Sequence, residues 1–441
     1  MPNALLAELQ DAARRKDRSA LEAGVTRLPA ELLADGFELL IAAIEVKEAG
    51  FTELAIRMFE DLTFREPNYA SAHYELGVAR RFAGRRHEAI RSVMLAVRHD
   101  PSEFRFRALH AHLLYSEGAY PEGEAEVEKL TPNTPEEQEQ VAVLRDFGLY
   151  MRDMPRGRAQ LLVQEVRDTY YWMSTEEVAA QINAAMDEKR GFSLIRMGDG
   201  EGAFTKVDAE DEARYANLYR WMRRDWEKAL FGETFDARGT GYASLVDTLL
   251  DVSLEQDIVG VPYAAWVDHE YAISSARGIP CVLNVHRAYL AAAARGQRRP
   301  FVCDQRIHIE LHNHGFVEPI LRRAGSVGVI SCHSALPDKM KAAFDLTDVE
   351  LFKIPGEKYT SGLRDQDQMS GEHFPFVFWD IVRRLSVPHE GRVFMIAAGT
   401  LAKFYADVIK RHGGIALDLG SLVDGWLNIS SRPGYDASLS L

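Results

Sequence analysis

The sequence has few cysteines and no evident way to pair them. Cys281, Cys303 and Cys332 are far apart and form no CxxC pair, which leaves no basis for a disulfide framework and suggests a reducing compartment. Long apolar runs are also missing: nothing approaches the ~18–20 uninterrupted apolar residues of a membrane span. The opening residues, Met1 to Asp17, carry charge within their first turns and lack a signal-peptide core. The expectation is a cytoplasmic protein with no transmembrane segment. A basic excess is absent as well. Lys and Arg number 52 against 66 Asp and Glu, a formal net charge of −14, and a nucleic-acid binder needs the opposite balance to neutralise phosphates. A nucleotide ligand stays open, because such sites use backbone N–H groups, a metal ion and a few cations. The Walker A loop, the serine nucleophile elbow and the G-x-G-x-x-G fingerprint are all lacking.

The chain does contain, first, a repeat. With 441 residues, 46% hydrophobic and 27% charged, it is long enough for two or three soluble domains. Gly50, Gly84 and Gly118 stand 34 residues apart, and Pro67, Pro101 and Pro135 keep the same step. Phe59, Val93 and Val127 recur in register, as do the small residues Ala55, Ala89 and Gly123. A 34-residue period with a turn glycine and a closing proline resembles the tetratricopeptide repeat. Each unit would be two amphipathic helices, with Leu62, Leu76 and Leu130 filling the seam and Ala55, Gly77 and Ala89 allowing close crossing. Residues 1–36 read as a degenerate helix pair and 136–152 as a capping helix, giving a helical repeat domain over 1–153. Stacked repeats offer a concave surface to an extended partner. The plainer alternative is a packing scaffold that supports a homo-oligomer.

Met154-Pro155-Arg156-Gly157-Arg158 breaks the helical text, so 154–190 reads as a linker and a helix leading into a second domain over 191–441. Ser174 and Glu177 form a capping box for a helix running to about Lys189. Beyond it, apolar runs alternate with helical text: 257–262, 280–285, 301–304, 326–331 and 349–355 as strands, 337–344 and 373–385 as helices. Continuous apolar runs between helices mean parallel strands buried on both faces, hence a Rossmann-like, doubly wound α/β domain. Its last unit is a strand at 392–398, a turn at Gly399-Thr400, a helix over 401–412, and a strand at 415–419 containing Asp418. Orphan N–H groups after Gly399 suit a phosphate, and Asp418 stands where nucleotide folds keep a ribose-binding acid.

The sharpest chemistry lies at Phe192 to Glu201. A strand, Phe192 to Arg196, runs into Gly198-Asp199-Gly200-Glu201, and glycine lets both carboxylates face one side. A hard divalent cation such as Mn²⁺ or Mg²⁺ takes one or two carboxylates and completes its shell with water and phosphate. The plain alternative is an Asp-Gly turn with a solvated Glu. Tyr215, Tyr219, Met222 and Trp226 mark a helix whose stripe is core or a stacking surface for a base. His308 and His312 have the i, i+4 spacing of a zinc pair but lack the HExxH acid. Lys358 is a candidate phosphate partner, with Tyr359 to Gly362 a loop over the site; Asp304 and Arg306 are candidates for lining the cleft, and Asp424 for a base.

Taken together, Arg196-Met197-Gly198-Asp199-Gly200-Glu201 and the Gly399-Thr400 … Gly414-Ile415-Ala416-Leu417-Asp418-Leu419-Gly420 ending resemble the glycosyltransferases of the GT-D fold, over roughly residues 174–430. The chain departs from that family at Ser421, where many members have His. The resemblance implies transfer of a sugar from a nucleoside-diphosphate donor, UDP-sugar foremost, to a protein or glycan acceptor. It implies that Asp199 and Glu201 are the catalytic pair and hold Mn²⁺ or Mg²⁺ as a D-x-E motif. It places Arg196, Gly198, Gly200, Lys358, Gly399, Thr400 and Asp418 around the donor. Two other readings stay open: a repeat adaptor whose α/β domain binds a nucleotide without catalysis, and a Rossmann-type oxidoreductase or methyltransferase.

Overall fold

The computed structural model describes residues 4–28, 36–358, 369, 371–429 and 439–441. The chain divides into two compact units.

The first unit comprises Met1–Arg158 with two later segments, Arg214–Leu218 and Asp268–Ile279. Its helices pair across the three spaced glycines: Gly36–Glu48 with Thr52–Arg65, Ala70–Phe82 with Arg86–His99, and Phe104–Glu117 with Tyr120–Val127. Gly50, Gly84 and Gly118 all adopt left-handed backbone, with φ of 95°, 74° and 86°, a conformation a Cβ disfavours. Close crossing has the cause the sequence suggests. A Cβ on Gly77 would lie 2.4 Å from Val93, and Ala55, Ala89, Leu62 and Leu76 are buried. The opening pair, Ala4–Arg14 and Arg18–Arg27, precedes the repeats. The third proline differs from expectation: Pro135 opens the helix Pro135–Asp153 behind a Thr134–Glu137 capping box, where its missing N–H costs nothing. The later segments are bonded into this unit. Tyr271 donates to the Met154 carbonyl at 2.6 Å, Arg86 donates to the Tyr271 carbonyl at 2.6 Å, and His112 meets the Ser274 carbonyl at 2.6 Å.

The second unit is built on seven parallel strands: β1 (Phe192–Arg196), β2 (Ile258–Val261), β3 (Phe301–Asp304), β4 (Ser326–Ser331), β5 (Asp348–Lys353), β6 (Val393–Ile396) and β7 (Ile415–Asp418). Their order is β3-β2-β1-β7-β6-β4-β5. Phe192, Leu194, Val327, Met395 and Leu417 join one core cluster with the helices Thr175–Asp187 and Leu336–Phe344. The intervening Ile195, Val259, Phe394 and Ala416 are equally buried, so both faces are covered, as an all-parallel sheet requires. The Ser174–Glu177 capping box forms. Met154 ends one helix and the next begins at Arg156.

One expected strand is not a strand. Residues 280–285 lie inside the helix Gly278–Ala294. A short apolar run does not distinguish a buried strand from a buried helix, and the alanine-rich continuation to Ala294 carries the helix through it. The expected helix over 373–385 starts with an irregular turn, Phe374 being non-helical, and is regular only over Phe378–Leu385.

Candidate functional site

β1 lies between β2 and β7, with Arg196 beside Gly260 and Leu194 beside Leu417. The chain leaves β1 and folds into a six-residue helix, Asp199–Phe204, capped at Gly198. A cavity opens here, at the carboxyl ends of the strands, where open α/β sheets bind ligands. It is lined by residues that end or follow six of the seven strands: the acid loop after β1, Gln305 after β3, Ser331 to His333 at β4, Ile354 to Glu357 after β5, Ala397 to Thr400 after β6, and Asp418 to Ser421 at β7. The cavity holds about 150 Å³ and opens to solvent.

Arg196, Gly198, Asp199, Gly200, Glu201, Gly399, Thr400 and Asp418 all line this one cavity. Lys358 does not; it is exposed, beside Gly232. The expected loop Tyr359 to Gly362 lies outside the described residues. Asp304 pairs at 3.4 Å with Arg167, and its neighbour Gln305 faces the cavity instead. The aromatic stripe divides: Tyr215, Tyr219 and Met222 are buried, and Trp226 lines the cavity. The three histidines do not converge. His308 faces Arg196 at 3.2 Å, His312 accepts from the Trp426 indole at 3.4 Å, and His314 meets the Phe316 ring edge. Among the described residues no group of three or more His, Cys, Asp or Glu is arranged to hold a metal ion.

Among the lining residues is a buried charge cluster of Arg196, Glu201, Asp418 and a fourth member that no sequence motif marks, Lys403. The Lys403 ammonium, 3% exposed, sits 2.6 Å from Glu201 Oε1 and 3.1 Å from Asp418 Oδ2, and donates to the Gly399 carbonyl at 3.2 Å. Arg196 donates through Nε to the Asp418 carbonyl at 3.0 Å and through a terminal nitrogen to its carboxylate at 3.3 Å. Two cations face two anions, the balance that burying charge requires. Burial alone would raise the Asp418 carboxyl, but the Lys403 and Arg196 charges hold it below its usual range. Burial and the Arg196 charge push His308 well below its usual value, so it is neutral. Gly420 belongs to the same device: at φ 47° a Cβ there would lie 1.8 Å from the Arg196 guanidinium. The available signal for Lys403 was its place inside Ala402–Ala406, where every residue is buried.

Glu201 is thereby engaged at both oxygens, since Oε2 accepts the Gly198 N–H at 2.8 Å. Asp199 is half-buried on the cavity wall, with Oδ1 accepting the Gly200 N–H at 3.0 Å. For Mn²⁺ or Mg²⁺ the fit rests on Asp199, as a hard ion needs only one carboxylate when phosphate oxygens supply the rest.

A second pair joins Asp424, the candidate base, to a histidine that no motif marks. His333 Nε2 lies 2.6 Å from Asp424 Oδ1, both side chains buried, on the cavity wall. Burial would lower the His333 imidazole, but its bonds to Asp424 and Cys332 bring it up to about 9. His333 stands two residues after β4 ends at Ser331, a strand-end position that the pattern offered. His373, also on the wall, bonds the Tyr405 hydroxyl at 2.9 Å and is lowered to about 3 by burial.

No protein-family model matches the chain, and no curated protein matches it. Among solved structures, a mutant of the Thermobaculum terrenum O-GlcNAc transferase aligns over 88% of this chain and 76% of its own, at 13% identity and a TM-score of 0.25. So loose a superposition carries no argument.

Proposed function

We propose that the second unit is a glycosyltransferase of the GT-D kind, moving a sugar from a nucleoside-diphosphate donor, UDP-sugar foremost, to a protein or glycan acceptor recruited by the helical repeats. The observation that supports this most is the meeting, in one cavity at the strands' carboxyl ends, of the acid loop 198–201, the Gly399-Thr400 turn and Asp418. The acid loop lies far from the other two in the sequence, and all three carry the family resemblance.

On this reading the diphosphate lies against the Gly399-Thr400 turn, which feeds the ten-residue helix Ala402–Arg411. Asp199 and the loop glycines form the opposite wall, and Trp226 offers a face to the base or sugar. A divalent ion, when bound, would supply positive charge against the departing diphosphate. His333, oriented by Asp424, takes the proton of the acceptor hydroxyl; the pair is the closest approach on the wall to a base with its orienting acid. The buried cluster around Lys403 fixes the loop and β7 in register, so the reacting groups are held before substrate arrives.

The test is turnover of UDP-, GDP- and dTDP-sugars by the purified chain, with and without Mn²⁺. Hydrolysis or transfer from one donor, reduced about a hundredfold or more by Asp199→Ala, is the expected result. Nucleotide binding without turnover would favour the adaptor reading instead, and binding of NAD or S-adenosylmethionine alone would contradict both.

A further inference from the structure

The acid loop carries two carboxylates, and their surroundings differ. Glu201 is buried, one oxygen on the Gly198 N–H and the other 2.6 Å from the Lys403 ammonium. That ammonium also touches Asp418 at 3.1 Å and is itself 3% exposed. It occupies the position a metal bridging Glu201 and Asp418 would need. A Mg²⁺ ion sits about 2.0–2.1 Å from a ligand oxygen, so one bound at Glu201 Oε1 would stand against an ammonium already packed on that oxygen. Like charges at such separations repel strongly where water is excluded, and an expelled Lys403 would be buried beside Arg196 without its acids. Both loop acids line the cavity, but Asp199 is only half-buried there, with Oδ1 on the Gly200 N–H, whereas Glu201 is buried against the ammonium.

We infer that the cation held between Glu201 and Asp418 is the Lys403 ammonium itself, so that of the two loop acids Asp199 is the one offered to a divalent ion, which enters together with the donor's diphosphate. Glu201 is then a positioning residue: it ties the loop to the helix Ala402–Arg411 through Lys403. The inference deepens the donor reading above and rests on it for the diphosphate.

Mn²⁺ uptake by the full chain, followed by the electron paramagnetic resonance of the free ion, with and without UDP, tests this. The wild type should take up Mn²⁺ at least tenfold more tightly with UDP than alone. With UDP present, Glu201→Gln should stay within about threefold of wild type, and Asp199→Asn should weaken uptake at least tenfold. Equal losses in the two variants would overturn the inference. Lys403→Ala supplies a readout without nucleotide: vacating the ammonium's place should create UDP-independent Mn²⁺ uptake, seen also as a rise in melting temperature on adding Mn²⁺. Unchanged uptake in Lys403→Ala would overturn the assignment even if Glu201→Gln does not fold. If UDP does not bind at all, the donor reading falls and the entry of the ion with it, while the Lys403→Ala arm still decides what cation Glu201 holds.

Discussion

At the scale of single residues, the buried cluster and the His333–Asp424 pair make separate demands. Replacing Lys403 with Met removes one cation from a cluster of two cations and two anions, leaving Asp418 with Arg196 and taking from Glu201 its ammonium. Breaking a buried pair from one side costs about 3–5 kcal/mol, so chemical denaturation of Lys403→Met should show a loss of that order, and a loss under about 1 kcal/mol would mean the cluster is not needed. For His333, raised to about 9 by Asp424 and Cys332 against burial, the sign is fixed by linkage. A group whose value rises on folding contributes stability in full below its unfolded value, near 6.5, and loses it as pH climbs through the folded one. Unfolding free energy should therefore fall between about pH 6.5 and 9, and Asp424→Asn should flatten that fall; an unaltered slope would deny the pairing. Turnover should rise across the same window, since a base must shed its proton first, and His333→Ala should lower it by roughly 10²-fold or more. Arg196, Asp199, Glu201 and Asp418 were legible because they stand in short motifs at strand ends. Lys403 was not, because a helical pattern reports which face is buried, not that a charge on it is matched by Asp418 on the next strand and by Glu201 far back in the sequence.

Elements were most legible where local chemistry sets their ends. The Ser174–Glu177 box reads directly from the sequence and forms, Ser174 Oγ accepting the Glu177 N–H at 3.2 Å and Glu177 accepting the Ser174 N–H at 2.7 Å. Ser174→Ala should cost about 1 kcal/mol in urea denaturation; no change would mean that the helix Thr175–Asp187 is held by packing alone. The spaced glycines were equally clear, because a left-handed turn has few alternatives to glycine. Residues 280–285 were misread for the opposite reason. Their apolar run carries no periodicity, and it is the alanine-rich continuation to Ala294 that decides for a helix. Pro135 shows a similar limit: the 34-residue step locates it but does not say whether it closes one helix or opens the next.

For the whole molecule, periodicity revealed a repeat array and alternation revealed a parallel sheet, but neither could show that the chain returns. Residues 268–279 belong to the first unit, through bonds such as that of His112 to the Ser274 carbonyl, and contacts across such separations leave no local pattern. Residues 1–158 expressed alone should therefore melt at a lower temperature and less cooperatively than the first transition of the full chain; an equally sharp, equally high transition would show those returning segments to be dispensable. No described helix is long and apolar enough to cross a membrane. The central claim, that the cavity at the sheet's edge receives a sugar donor's diphosphate, is tested most directly by a crystal structure of the full chain grown with UDP and Mn²⁺. The account predicts the diphosphate between Asp199 and the Gly399-Thr400 turn, with Lys403 still on Glu201. Density for the nucleotide elsewhere, with that cavity holding only solvent, would contradict it.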